Sequence, residues 1–265
     1  MISDIYAQNK ERKLYLRSTQ ADPSAYERLR RNLLAAQIIA PDYDYDRRAF
    51  RVLSLQDLPA EEIVCLIDPT CHISHLSAMQ RWGITNRRPK ALSITRPNRP
   101  AAKKILNHIV ERDYGDQEPV VPITIVSHPK RVRKRPLVLH ESTNPSERIK
   151  VRGTHACVST MGQTFLESLK DPDLCGGMRH VLRVWERHAR DWVQEIINRI
   201  DQEDVSGIVK CRAGYILEEV LSVKNNVKIE SWISSAQRGG SRKLDPNAPF
   251  LPRFSEKWMI SLNVK

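Results

Sequence analysis

Between residues 178 and 200 apolar side chains recur at helical spacing: Met178, Val181, Leu182, Trp185, Ala189, Trp192, Val193, Ile196 and Ile200. Positions i, i+3, i+4 and i+7 share one face of an α-helix, so the pattern predicts a single amphipathic helix of roughly six turns. Only other elements of a core can cover so long a stripe, which makes this stretch the strongest constraint on the fold. Two adjacent glycines, Gly176 and Gly177, stand just before it in a chain with only 10 glycines in 265 residues. After Asp171, Pro172 and Asp173 they read as a tight turn, where glycine lets the backbone adopt an unusual conformation or come close to a neighbour.

The elements that cover this helix precede and follow it. "ALSIT", "PITIV", "PLVLH", "RIKV" and "HACVST" are short and β-branched, are bounded by Pro, Asn and Gly, and predict a sheet of several strands. "LPAEEIVCLI" opens a helix with Pro59 near its first turn, and a second short helix runs from Ser74 as cap to Gly83 as stop. A small helix around "CRAGYILEEVL", a basic Gly-rich loop "QRGGSRKLDP" and a final strand "KWMISLNV" complete the chain. No apolar run reaches the ~18 residues needed to cross a bilayer, and the first residues carry no signal-peptide core. Five cysteines without a CxxC pair predict reduced, mostly buried thiols. A soluble, cytoplasmic protein with no membrane partner is expected.

Near the start, Asp22-Pro23 is a helix-opening signal. In the helix it predicts, Tyr26, Leu29, Leu33 and Leu34 share one face, and Ser24, Arg28 and Arg31 share the opposite one. Two strands follow, "IIAP" and "RRAFRVLSL", around an acidic hairpin "DYDYD". Helix then β-hairpin is the second half of a winged helix-turn-helix, with the earlier helices supplied by "IYAQNKERKLYLRSTQ". In that arrangement Ser24, Arg28 and Arg31 enter the major groove of double-stranded DNA, while Arg47 and Arg48 of the hairpin meet its backbone. The expected fold is α+β: a winged helix-turn-helix over residues 1–56, then a mixed α/β domain over residues 57–265.

Charge points to the same partner class. The formal net charge is +12, and a globular chain this basic gains binding energy on a polyanion by releasing its counterions. Residues 81–104 carry eight Lys or Arg and no acid, and "PKRVRKR" adds five more. Arg87, Arg88, Lys90, Arg96, Arg99, Lys130, Arg131, Arg133, Lys134 and Arg135 are therefore candidates for phosphate contact, although such residues also protect exposed sheet edges.

Other chemistry finds little support. Cys65, Cys71, His72 and His75 fall within eleven positions but lack the ligand spacing of a zinc finger, so no metal site is expected. No GxSxG, Walker or GxGxxG element is present, and neither a cofactor nor a catalytic residue is assigned. The alternative reading is a metal-dependent nuclease or a general nucleic-acid binder, with Glu141 and Glu147 as acids. Glu147 and Lys150, however, do not alternate onto one strand face.

Four segments, in order, resemble the AbiEi family of antitoxins from type IV toxin-antitoxin and phage abortive-infection loci. They are "ISHLSAMQRWGI", "FLESLKDPDLCGG", "RAGYILE" and the ending "GSRKLDPNAPFLPRFSEKWMISLNV". The resemblance runs from about residue 58 to the C-terminus. It implies a non-enzymatic antitoxin that represses its own promoter through inverted repeats. The implied partner is a co-encoded nucleotidyltransferase-like toxin, of the AbiEii kind, neutralised without a stable complex.

Overall fold

The β-branched runs pair into a six-stranded mixed sheet in the computed structural model, which describes residues 23–114, 124–144, 146–236 and 242–264. In chain order the elements before the sheet are helix α1 (Pro23–Ala35), strands β1 (Ile39–Asp42) and β2 (Asp46–Val52), and helix α2 (Ala60–Ile67). The sheet is built from β3 (His72–Ile73), β4 (Leu92–Pro97), β5 (Arg131–Val132), β6 (Arg135–Ser142), β7 (Arg148–Lys150) and β8 (Cys157–Ser159), in the order β5-β6-β4-β3-β8-β7. β4 runs parallel to β6 and β3 parallel to β8; the other pairings are antiparallel. Helices α3 (His75–Arg81) and α4 (Arg99–Tyr114) lie between sheet strands in sequence. A helical layer follows: α5 (Met161–Lys170), α6 (Met178–His188), α7 (Val193–Ile200), α8 (Gly207–Tyr215) and α9 (Val227–Ser231). The short pair β9 (Phe254–Ser255) and β10 (Ile260–Ser261) ends the chain.

The expected leading helices in residues 5–20, the Asp22 cap, the start of "PITIV" and residues 237–241 of the Gly-rich loop lie outside the described residues. The described end of "PITIV" is no strand, because the Val126 carbonyl is taken by the Arg96 guanidinium at 2.8 Å and not by a neighbouring ladder. Neither α4 nor α5 is among the elements expected above: α4 sits inside a cationic run, and α5 is a short helix, although Met161, Phe165, Leu166 and Leu169 share one face and Gln163, Thr164, Glu167 and Ser168 the other.

Two apolar clusters hold the layers together. One joins the helices through Phe165, Trp185, Ile196, Ile197 and Trp258; the other joins α2 to the sheet through Val64, Ile73, Leu92, Ile94 and Val158. Trp82 packs against both and donates its indole N–H to the Ser159 carbonyl at 2.9 Å. Tyr45, from the β1–β2 hairpin, is fully buried in the sheet cluster. The boundary expected between residues 56 and 57 is thus bridged by a shared core.

The long amphipathic stretch is not one helix. A 3-10 turn, Ala189–Trp192, separates α6 from α7. The reason is geometric. At 1.5 Å per residue a straight helix over this stretch would extend about 34 Å, whereas α5, which both halves cover, is only about 15 Å long. The break lets Trp185 of α6 and Ile196, Ile197 and Ile200 of α7 join one cluster with Phe165 and Leu166 of α5.

α5 is buried over Met161–Leu169, including Gln163, Thr164, Glu167 and Ser168. Buried polar groups must be paired, and these are. Glu167 accepts hydrogen bonds from the His75 backbone N–H at 2.9 Å, from Ser159 Oγ at 2.8 Å and from Gln163 Nε2 at 3.1 Å, while His72 Nε2 lies 3.9 Å away. Gln163 Oε1 in turn accepts from Arg199 Nε at 2.7 Å, and Arg199 is itself buried and paired with Asp204 at 2.9 Å. Ser74 does not cap α3 with its side chain as expected. Its hydroxyl is committed to Thr95 and to His75 Nδ1, so Glu167 satisfies the first N–H of that helix from across the core. His75 is held there at φ +51, in the left-handed region.

The glycine pair has a direct conformational role. Gly176 closes the 3-10 turn Pro172–Cys175 at φ +91, and Gly177 precedes α6 at φ +87, ψ 153. The second conformation is open essentially to glycine alone. Replacing Gly177 by Val is expected to lower stability by roughly 2–3 kcal/mol, read as a depressed melting temperature with secondary structure retained. A second expectation concerns acid. Burial alone raises the Glu167 carboxyl, but the His72 and His75 imidazoles and the His75 N–H outweigh it and bring it down to about 2. A depressed carboxyl stabilises the fold fully above its unfolded value near 4.5 and loses that contribution as pH falls toward 2. Urea titrations of the wild type across this window should show falling stability, and Glu167→Gln should flatten that slope.

Candidate nucleic-acid interface

Two hairpins, β1–β2 and β5–β6, are fastened to each other by charge. The turn between β5 and β6 is only two residues, Arg133 and Lys134, both at positive φ (48° and 64°). Glycine or asparagine normally fills such a turn, because a side chain there costs about 1–2 kcal/mol. Arg133 offsets that cost through its contacts. Its backbone N–H donates to Asp44 Oδ2 at 2.8 Å, and its guanidinium donates to Asp44 Oδ2 at 2.6 Å, Asp42 Oδ2 at 2.7 Å and Asp57 Oδ1 at 2.8 Å. Two of these acids, Asp42 and Asp44, belong to the "DYDYD" tip; the third follows β2.

This clamp sets the protonation of its members. Burial raises the Asp42 carboxyl, but the Arg133 side chain and the N–H groups of Asp44 and Tyr45 outweigh it and hold it below the ordinary carboxylate range. The carboxylates, led by Asp42, push the Arg133 guanidinium above its ordinary value, so it stays charged at every accessible pH. The Tyr43 ring lies near two guanidinium groups, that of Arg51 at 3.7 Å from the ring centroid and that of Arg133 at 5.6 Å. Tyr45 turns inward, and its hydroxyl meets His128 Nδ1 at 2.8 Å; His128 Nε2 lies 3.1 Å from Asp68 Oδ2. Arg48 adds a further tie, its guanidinium donating to the Ser127 carbonyl at 2.9 Å.

The candidate cations divide accordingly. Arg47 and Arg48 on β2, with Lys130, Arg131 and Lys134 on the neighbouring hairpin, are exposed and brought together by the clamp. Ser24, Arg28 and Arg31 are exposed on α1, which packs against β2 through Arg30 over the Phe50 ring at 5.8 Å. Arg88 and Lys90 are exposed in the α3–β4 connection, where Arg87 donates to the Gly176 carbonyl, and Arg99 is exposed at the first turn of α4.

Three members of the expected phosphate-contact set are paired with carboxylates in the fold. Arg96 is buried and bonds Glu141 at 2.8 Å, Arg133 is the clamp, and Arg135 pairs with Glu61. Reaching a phosphate would break these pairs, so they are structural cations. The same contacts separate the acids of the nuclease alternative: Glu141 pairs with Arg96, whereas Glu147 accepts from Thr160 at 3.3 Å and from Gln202. The sequence marks "DYDYD" only as an acidic hairpin, and Asp44 lies in its turn, so its pairing with Arg133 follows from the fold alone. Nothing in the sequence indicates that Asp57 or His128 would join.

A polar cavity of about 380 Å³ opens beside α5, lined among others by His75, Thr95, His140, Gln163, Glu167 and Lys170. The His75 and His140 rings are 4.6 Å apart. Glu167 is spent there, because its oxygens already accept three hydrogen bonds and its low pKa makes it a weak base. The group of His, Cys and carboxylate side chains close enough to share a metal ion among the described residues is Asp68, Cys71 and His128.

Compared with known proteins, the sequence matches no family model and no curated protein. No helix among the described residues is long and apolar enough to cross a membrane.

Replacing Arg133 by Met should leave the buried Asp42 charge uncompensated and lower stability by on the order of 2 kcal/mol at neutral pH. The Asp42 carboxyl is depressed in the wild type, so this difference is present above its unfolded value of 3.8 and shrinks as pH falls below it. Chemical denaturation of both proteins at pH 7 and pH 3 checks the sign.

Proposed function

We propose that this protein binds double-stranded DNA through α1 and the two clamped hairpins, and acts as an autorepressing antitoxin of the AbiEi kind. The observation that carries the reading is the disposition of charge around Arg133. An acidic hairpin tip would repel phosphate, but Asp42 and Asp44 are folded inward onto Arg133, and Arg47, Arg48, Lys130, Arg131 and Lys134 face outward beside them. The order helix, strand, turn, strand from α1 to β2 supports a winged helix in which α1 reads the major groove and the hairpin meets the backbone. The net charge of +12 supplies the counterion release that such binding uses. The resemblance of the segments from residue 58 onward supports the antitoxin role, toward a nucleotidyltransferase-like toxin.

A gel-shift titration on the DNA upstream of the gene, beside scrambled DNA at two salt concentrations, tests the proposal. The expected result is a preference for the native fragment of roughly a hundredfold, about 2.7 kcal/mol. Arg28→Glu with Arg31→Glu should abolish that preference. Lys130→Glu with Lys134→Glu should weaken binding to both fragments and reduce the salt slope by about one for each phosphate that is no longer neutralised. Unchanged binding by both double variants would overturn the assignment of the interface. Cleavage of either fragment on adding Mg²⁺ would favour the nuclease reading instead.

A further inference from the structure

Beneath the clamped hairpins, three side chains with metal-binding atoms converge in the interior. Asp68 ends α2, Cys71 precedes β3, and His128 arrives from the segment before β5. Asp68 and Cys71 are buried, the His128 side chain is 3% exposed, and their ligand atoms lie within 4.8 Å of one another.

We propose that Asp68, Cys71 and His128 bind one Zn²⁺-class transition-metal ion, held in place by Tyr45 and Thr70 as outer partners.

The donor set selects the metal. One thiolate, one imidazole and one carboxylate suit Zn²⁺ or Co²⁺ and do not suit Mg²⁺ or Ca²⁺, which take oxygen ligands. Zinc bonds of about 2.0–2.3 Å in a tetrahedron place neighbouring ligand atoms roughly 3.3–3.8 Å apart. His128 Nε2 and Asp68 Oδ2 are already 3.1 Å apart.

Two of the three ligands also carry the outer partners that metal ligands use to fix their orientation. His128 Nδ1 meets the Tyr45 hydroxyl at 2.8 Å, which leaves Nε2 directed at the site. Asp68 Oδ1 accepts from the Thr70 N–H at 2.9 Å and from Thr70 Oγ1 at 2.5 Å, which turns Oδ2 toward the site, where it meets His128 Nε2. Arg96 stands 3.7 Å from Asp68 Oδ2, but its charge is matched by Glu141. A dication balanced by one carboxylate and one thiolate leaves the group neutral.

Binding releases one proton, from the Cys71 thiol. The His128 proton moves from Nε2, which takes the metal, to Nδ1, where the Tyr45 oxygen accepts it. Because Tyr45 belongs to the β1–β2 hairpin, the ion would fasten that hairpin to the body of the protein.

The test uses the full chain, stripped with chelator under a reductant that does not bind metal, and titrated with Co²⁺. Saturation at one equivalent is expected, with visible d–d bands, a near-ultraviolet thiolate-to-cobalt charge-transfer band, and displacement of both by Zn²⁺. Cys71→Ser should remove the charge-transfer band, while Cys211→Ser, which alters a thiol remote from the site, should keep it. Tyr45→Phe preserves the ring and the ligands and should weaken Co²⁺ binding about tenfold or more, so it carries the test even if Cys71→Ser fails to fold. No charge-transfer band in the wild type would overturn the proposal. So would a band that survives in folded Cys71→Ser, or a Tyr45→Phe affinity equal to that of the wild type.

Discussion

Glu167 is a carboxylate with almost no access to water, and much of the structure is arranged to keep it there. Removing such a charge from solvent is costly unless every lone pair is answered. Here the hydrogen bonds come from three elements, since Ser159 ends β8, His75 opens α3 and Gln163 lies one turn back on α5, while His72 on the central strand β3 stands 3.9 Å away. Gln163 then extends the network to Arg199 on α7 and so to Asp204. The sheet, α3, α5 and α7 are therefore held in register by one chain of hydrogen bonds around a single charge. The strained backbone of His75 is part of that arrangement, because its N–H must point at the carboxylate.

The Arg133 clamp does for the basic side of the molecule what Glu167 does for the core. Again a charge is buried among opposite charges from several elements, and again local strain is retained, at Arg133 and Lys134. The consequence is electrostatic. One guanidinium offsets one of the three charges of Asp42, Asp44 and Asp57, and the five exposed cations beside them, Arg47, Arg48, Lys130, Arg131 and Lys134, outnumber the acids that remain. Beneath it, Tyr45, His128 and Asp68 run from the hairpin into the body, so the proposed DNA-binding surface is not a loosely tethered wing.

How much of this was legible depends on whether the signal was local. The apolar stripe from Met178 to Ile200 correctly marks helix, since spacing along the chain fixes which side chains share a face. It cannot show the break at Ala189–Trp192, which follows from the length of the partner helix. In α5 the burial is what the sequence hides, because its polar face of Gln163, Thr164, Glu167 and Ser168 reads as solvent-facing until the partners of those side chains are known. Charge misleads in a similar way. Arg96, Arg133 and Arg135 look identical in sequence to Arg87, Arg88 and Lys90, yet the first three meet carboxylates in the fold.

The sequence by itself determined the secondary elements with clear periodicity, the mixed α+β class, the glycine turn before α6 and the basic character of the surface. Each rests on residues within a few positions of one another, or on composition alone. Tertiary structure decided which charges face outward, which acids clamp Arg133, and that Asp68, Cys71 and His128 meet. Those outcomes depend on contacts between residues as many as 91 positions apart, such as Arg133 with Asp42, and no local pattern encodes the partner of a buried charge.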